Sequence, residues 1–179
     1  DGRGQGFLLH STLAVVPEPR EVLGLMYQKP FLRQARPDRA ESSYRRAKRP
    51  RESDIWQQSV EAMGSAPADT CWIEVGDRGS DIFGFLTTCR AYQHHFLIRA
   101  CQDRCIRVEE REDITHLVTW ARTLPSQGQQ SVTTLDPQKR PREAQVSIAF
   151  GSVTLQPPFH TRHLPPLQDI PILPPVAQP

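Results

Sequence analysis

The segment 70–82 holds the strongest candidate for chemistry in this chain. Residues 70–75 form a short apolar run suited to a buried strand, and Gly76, Asp77 and Arg78 follow it directly. Open α/β sheets bind their ligands at the carboxyl ends of their strands, so a carboxylate at this position is well placed. Carboxylate oxygens are also the ligands that hard divalent cations prefer. The pattern therefore predicts Asp77 as a metal ligand with a cation beside it.

Each of these residues also has a plainer interpretation. Asp77 suits the start of a helix, where the positive end of the helix dipole favours a carboxylate. Arg78 can contact a phosphate or form a surface ion pair with Asp81, which contributes little to stability. Asp81, like Ser80, suits a helix cap better than a ligand position. Arg99, at the end of the next predicted strand, has the same two interpretations as Arg78.

The hydrophobic pattern predicts the elements that position Asp77. Residues 6–16 and 21–29 have the composition of strands, and the Pro17–Arg20 turn between them predicts an antiparallel hairpin. Apolar residues recur at helical spacing between Ser53 and Gly64 and again over residues 82–92. Residues 95–99 form a further strand. The order is therefore strand, strand, helix, strand, helix, strand, which is typical of an α/β protein.

The second half of the chain has a different character. Residues 109–124 have helical spacing, residues 130–135 suit a strand, and residues 144–156 alternate on both sides of Gly151-Ser152, which indicates a hairpin. From residue 157 onward there are eight prolines in 23 residues, so the tail is expected to be extended and edge-like or disordered. We divide the chain into 1–105, a partial catalytic core, 106–156, the start of a β-rich insertion, and 157–179, the tail.

Positive charge is concentrated between Lys29 and Arg51. This stretch has nine basic residues against two acidic ones, a net charge of +7, whereas the whole chain has a formal charge of +2. Such a block is either a solvated loop or an interaction segment, often for nucleic acid. The best candidates for contact with a nucleic-acid backbone are Arg45, Arg46, Lys48, Arg49 and Arg51, because Lys and Arg neutralise phosphates.

The four cysteines do not form a dense disulfide framework. Cys71 and Cys89 occupy apolar positions and suit a core, whereas Cys101 and Cys105 could join His160 and His163 in a zinc site. The gap between those pairs is long for a zinc module, so reduced thiols in a cytoplasmic protein are the better interpretation.

The sequence has no signal-peptide pattern and no apolar run near the roughly 18 residues of a membrane span. The chain begins without Met, which suggests a fragment.

Four segments together resemble the DDE insertion-sequence transposases, the cut-and-paste type with a β-rich insertion. Residues 2–15 resemble the segment after that family's first catalytic Asp, and residues 76–82 resemble the segment around its second. Residues 95–100 are similar to the strand that follows, and residues 142–155 to the inserted β-domain. The resemblance implies a ribonuclease H-like mixed α/β sheet, with its first strand missing before residue 1.

The resemblance also implies an activity. Two aspartates and a glutamate would hold two Mg²⁺ or Mn²⁺ ions for DNA cleavage and strand transfer in transposition. Asp77 would be the second ligand, the first Asp would precede residue 1, and the Glu would follow Pro179. Arg78 would lie near DNA, with Arg99 as a further contact. The partners would be double-stranded transposon ends and target DNA, bound by a homodimer at the bacterial nucleoid. The alternative is a transposase remnant that binds DNA without cutting it.

Overall fold

The structure, a computed structural model, describes residues 6–32, 51–108, 111–172 and 175–177. It divides into two compact units, residues 1–101 and residues 102–179. In its described residues the first unit combines a hairpin, two α-helices and a pair of parallel strands. The described residues of the second unit form mainly antiparallel strands with one short α-helix.

The first unit begins with the predicted hairpin. Strand β1 (Leu8–Val16) pairs antiparallel with β2 (Glu21–Phe31) across the turn at residues 17–20. Because side chains alternate along a strand, one face carries His10, which packs against the first helix. The opposite face is exposed and apolar, with Leu9, Leu13 and Val15 each more than half exposed.

Two helices form the core of the first unit. Helix α1 (Asp54–Met63) follows Ser53 and ends at Gly64, whose φ of 75° is a conformation that glycine adopts without strain. Helix α2 (Phe83–Ala91) buries one face against α1. The apolar side chains buried in this core are Ile55, Val60, Phe83, Phe85, Leu86 and Cys89.

A parallel pair of strands positions the residues of the candidate site. Strand β3 (Ile73–Gly76) pairs with β4 (His95–Ile98), and α2 connects the two strands. A parallel pair needs such a crossover because its strands run in the same direction. The periodicity of the sequence predicted this strand–helix–strand order, and the structure confirms it.

The second unit has a four-stranded antiparallel sheet. Its strand order is β10 (Leu167–Ile172), β9 (Gly151–Leu155), β5 (Cys105–Val108) and β6 (Arg111–His116), and the short helix α3 (Leu117–Ala121) follows β6. Trp120 of α3 is buried and packs on Gly151, where a side chain would collide with the indole. The proline-containing β10 lies at the sheet edge, where a missing N–H donor is tolerated.

The remaining strands of the second unit form a separate antiparallel sheet. Strands β7 (Gly128–Leu135) and β8 (Pro141–Ile148) make a hairpin, and β11 (Pro175–Ala177) pairs with the other edge of β8. Asp136 stabilises the turn of this hairpin, because its carboxylate accepts hydrogen bonds from the backbone and side chain of Arg140.

The expected ribonuclease H-like mixed sheet is wrong for this chain. The structure is strand-rich, and its described strands form four small sheets, three of them antiparallel. A continuous mixed sheet needs a backbone ladder between the hairpin and the parallel pair. In the described residues, β1 and β2 pair with each other, β3 pairs with β4, and no ladder joins the two sets.

Three local predictions are also corrected. Residues 109–124 are not one helix, because β6 pairs with β5 before the short helix α3 begins. The strands β8 and β9 do not form a hairpin, since each pairs within a different sheet. Cys71 is exposed instead of lying in a core, whereas Cys89 is fully buried as predicted.

Candidate functional site

Three charged residues lie where the parallel strands end. The register pairs Gly76 with Ile98, so Asp77 and Arg99 follow at the same edge, and the Arg99 N–H donates to the Gly76 carbonyl at 3.2 Å. Arg78 is adjacent in sequence, and all three residues are exposed. We call Asp77, Arg78 and Arg99 the carboxyl edge. The structure thus brings these three predicted residues together.

A tight turn holds Asp77 in place. Its Oδ1 accepts the Gly79 N–H at 2.8 Å, and its backbone carbonyl accepts the hydroxyl of the buried Ser80 at 2.7 Å. These bonds close a single 3₁₀ turn over Arg78–Ser80. Asp77 therefore has the capping role that the plainer interpretation gave it, with one carboxylate oxygen engaged locally.

The close fit of this turn requires glycine at position 76. A Cβ there would come within 2.9 Å of the Cβ of Ser80 and 3.1 Å of the Cδ1 of Ile98. Such distances are shorter than packed carbon atoms tolerate. Gly76 therefore allows the turn to fold back beside the end of β4.

Asp81 connects the loop after β3 to the loop after β4. Its buried side chain accepts the Cys101 N–H through Oδ2 at 2.7 Å, and the Cys101 thiol lies 3.4 Å from the Arg78 carbonyl. The prediction that Ser80 or Asp81 caps the next helix is wrong. Ile82 is the N-cap residue of α2 and makes no side-chain capping bond.

The two arginines of the carboxyl edge have no ion-pair partner in the part of the chain that the structure describes. No carboxylate there lies within 4.0 Å of either guanidinium, so the surface ion pair between Arg78 and Asp81 is not formed. An exposed guanidinium presents N–H donors in a planar fork that matches a phosphate. The edge therefore suits an anionic ligand.

The described residues do not fit a pair of magnesium ions. No group of three or more His, Cys, Asp or Glu side chains in these ranges is arranged to hold a metal ion. At the carboxyl edge Asp77 is the one carboxylate directed outward, because Asp81 is engaged with the Cys101 backbone. A two-metal site needs more carboxylate oxygens than Asp77 supplies.

Aromatic residues support the turn from the core side. Trp56 packs edge-on against His10 at 4.7 Å and lies beside Gly79. Burial lowers the pKa of His10, and its Nε2 has no hydrogen-bond partner among the described residues. His10 is therefore neutral near pH 7 and packs as an aromatic ring.

The basic cluster falls mostly outside the described residues. Arg45, Arg46, Lys48 and Arg49 lie there, so their predicted DNA contacts stay predictions. Arg51 is exposed just before α1, and its backbone N–H donates to Asp54 at 2.7 Å. None of the four cysteines forms a disulfide, and Cys101 and Cys105 are exposed.

One buried charged pair escaped the sequence analysis. Nδ1 of His94 lies 3.0 Å from Oε1 of Glu74, although the two residues are twenty positions apart in the sequence. The signal was one polar residue, Glu74, within an apolar run that predicted a buried strand, because buried polar groups need partners. The prediction of a buried strand is itself wrong for Ile73 and Val75, which are both exposed.

No protein-family model matches this chain, and a search of curated proteins gave no significant match. None of the helices in the described ranges has the length and hydrophobicity needed to cross a bilayer.

Proposed function

We propose that this chain belongs to a DNA transposase and that its carboxyl edge contacts the DNA backbone. The single observation that supports the site is the convergence of Asp77, Arg78 and Arg99 at the ends of two parallel strands. The resemblance of residues 2–15, 76–82, 95–100 and 142–155 to transposases supports the reaction.

Each residue of the carboxyl edge has a distinct role in this proposal. Arg78 and Arg99 bind phosphate oxygens, because their guanidinium groups are exposed and have no ion-pair partner among the described residues. Asp77 would supply one oxygen ligand to a Mg²⁺ or Mn²⁺ site, and carboxylates other than those at the carboxyl edge would have to complete that site before it could supply Lewis-acid chemistry.

The basic block between Lys29 and Arg51 would add sequence-independent contacts. Its net charge of +7 attracts DNA and releases counterions when bound, so affinity should fall steeply with salt. Such contacts position the duplex without reading its sequence. The proposal places the protein with DNA in the bacterial cytoplasm, as a homodimer on transposon ends and target.

A DNA-binding titration at several salt concentrations tests the role of the edge. Arg78→Ala and Arg99→Ala should each weaken binding and reduce the salt slope by about one. Arg122→Ala is the matched control, since Arg122 is also exposed but lies in the second unit. If all three variants bind like the wild type, the carboxyl edge does not contact DNA.

A second candidate is a non-catalytic DNA-binding protein. The capping bond from Gly79 to Asp77 favours it, because that bond explains this aspartate without a metal. A cleavage assay with Mg²⁺ and transposon-end DNA separates the two candidates. Cleavage that Asp77→Asn abolishes supports the transposase, whereas binding without cleavage in the wild type supports the second candidate.

A further inference from the structure

The side chain of His94 is fully buried, and each of its two ring nitrogens lies within hydrogen-bond distance of an oxygen atom. Its Nδ1 lies 3.0 Å from Oε1 of Glu74, and its Nε2 lies 2.8 Å from the carbonyl oxygen of Gly64. The His94 side chain is 0% exposed and the Glu74 side chain is 15% exposed. Trp72 packs edge-on against the imidazole at 5.1 Å, which keeps this side of the ring apolar.

Counting protons at these two contacts restricts the charge state of the pair. A carbonyl oxygen can only accept, so Nε2 of His94 must carry a hydrogen. The 3.0 Å contact with Glu74 then needs a second hydrogen, carried either by Nδ1 or by the carboxyl group. A neutral imidazole facing an ionised carboxylate would place two lone pairs against each other. Such a contact is repulsive and leaves both groups unsatisfied.

We infer that Glu74 and His94 share one proton in the folded protein, and that this proton fastens the end of α1 to β3. Gly64 is the residue at which α1 ends, Glu74 lies in β3, and His94 directly precedes β4. The imidazole therefore bridges a helix end and a strand. The inference does not depend on the proposed function.

The groups around the pair carry no charge that could replace the shared proton. Cys89 of α2 is a titratable neighbour, since its backbone carbonyl accepts the backbone N–H of His94 at 2.8 Å. Burial, and then the charge of Glu74, raise the pKa of the Cys89 thiol to about 12, so it is neutral wherever histidine titrates. Gly64 and Trp72 contribute no charge.

Breaking the bridge should loosen the first unit, because a buried polar group is then left without its hydrogen-bond partner. Glutamine at position 74 can replace the protonated pair, because its amide N–H can donate to a neutral Nδ1. The Glu74→Gln variant therefore keeps the bridge without the proton.

Thermal unfolding of the full chain at a single pH tests the inference. Glu74→Ala should lower the Tm by several degrees, whereas Glu74→Gln should keep most of the wild-type Tm. The matched controls are Glu61→Gln and His95→Gln, whose side chains are exposed, and both should unfold like the wild type. A Glu74→Gln variant that unfolds like Glu74→Ala, or a Glu74→Ala variant as stable as the wild type, would overturn the inference.

Nuclear magnetic resonance on the wild type gives an independent test that does not require a variant to fold. The ¹⁵N shifts of the imidazole and the ¹³C shift of the Glu74 carboxyl report where protons reside. At neutral pH we expect either an imidazolium with a carboxylate or a neutral imidazole with a protonated carboxyl. Detection of a neutral His94 together with an ionised Glu74 contradicts the inference.

Discussion

The two ends of the β3–β4 pair each have an acidic side chain, but in opposite settings. Glu74 is largely buried and bonded to His94, whereas Asp77 is exposed beside Arg78 and Arg99. A buried charge persists only with a partner that offsets its lost hydration, so the Glu74 end is internally satisfied. An exposed charge needs no internal partner, so the Asp77 end is open to a ligand. The Glu74 end therefore supports the fold, and the Asp77 end is the one that we propose for ligand contact.

The largest expected difference between the two ends is in the reactivity of their cysteine thiols toward an alkylating reagent. Cys89 is buried near Glu74, and Cys101 is exposed at the carboxyl edge. A pKa of about 12 in place of 9.0 reduces the Cys89 thiolate population at neutral pH roughly 1,000-fold, and burial adds steric protection. Iodoacetamide should therefore modify Cys89 much more slowly than the exposed Cys101, as mass spectrometry can follow.

Denaturant supplies the control for this labelling. In the unfolded chain both thiols should react at similar rates, because burial is lost. A raised pKa in the folded state also means that the Cys89 contribution to stability is present below about pH 9 and is lost as pH rises toward about 12. Equal labelling of Cys89 and Cys101 in the native protein would contradict the assignment of the buried end.

A substitution at Gly76 should damage the turn that holds Asp77. In Gly76→Ala the new methyl group overlaps Ser80 and Ile98, and overpacking of this kind costs about 1–3 kcal/mol. Gly128→Ala is the matched control, since a Cβ at that strand position meets nothing within 4 Å. Urea unfolding measures both variants, and equal stability of the two would show that the turn can relax.

Two substitutions at Asp77 separate its capping role from a ligand role. Asp77→Ala removes the acceptor for the Gly79 N–H and should cost about 0.5–2 kcal/mol of unfolding free energy. Asp77→Asn keeps an oxygen acceptor and should cost less. Urea unfolding gives the stabilities, and the Mg²⁺ cleavage assay gives the activities. A metal ligand predicts that both variants are inactive despite their different stabilities.

The smallest effect on stability is expected for the arginines of the carboxyl edge. Arg78→Ala and Arg99→Ala remove exposed side chains without an ion-pair partner in the described residues. Each should change the unfolding free energy by less than about 0.5 kcal/mol. The same variants should weaken DNA binding, so a large loss of stability would show that these residues support the fold instead.

Much of the first unit could be predicted because its segments have strong local patterns. The prolines at residues 17 and 19 mark the hairpin turn, and the helical spacing between Ser53 and Gly64 defines α1. The prediction failed for residues 109–124, where apolar spacing suggested a helix. There the pairing of β6 with β5 overrides local helical preference, since a strand gains its hydrogen bonds from a distant neighbour.

The turn at residues 17–20, the strand–helix–strand order and the position of Asp77 after a strand depend on neighbouring residues, so local patterns predict them. The pairing of the strands depends on the packing of the folded chain, which forms small separate sheets in place of one mixed sheet. That packing also brings Arg99 beside Asp77 and Glu74 beside His94. Contacts between residues twenty or more positions apart depend on how the whole chain packs, and no local pattern encodes that packing.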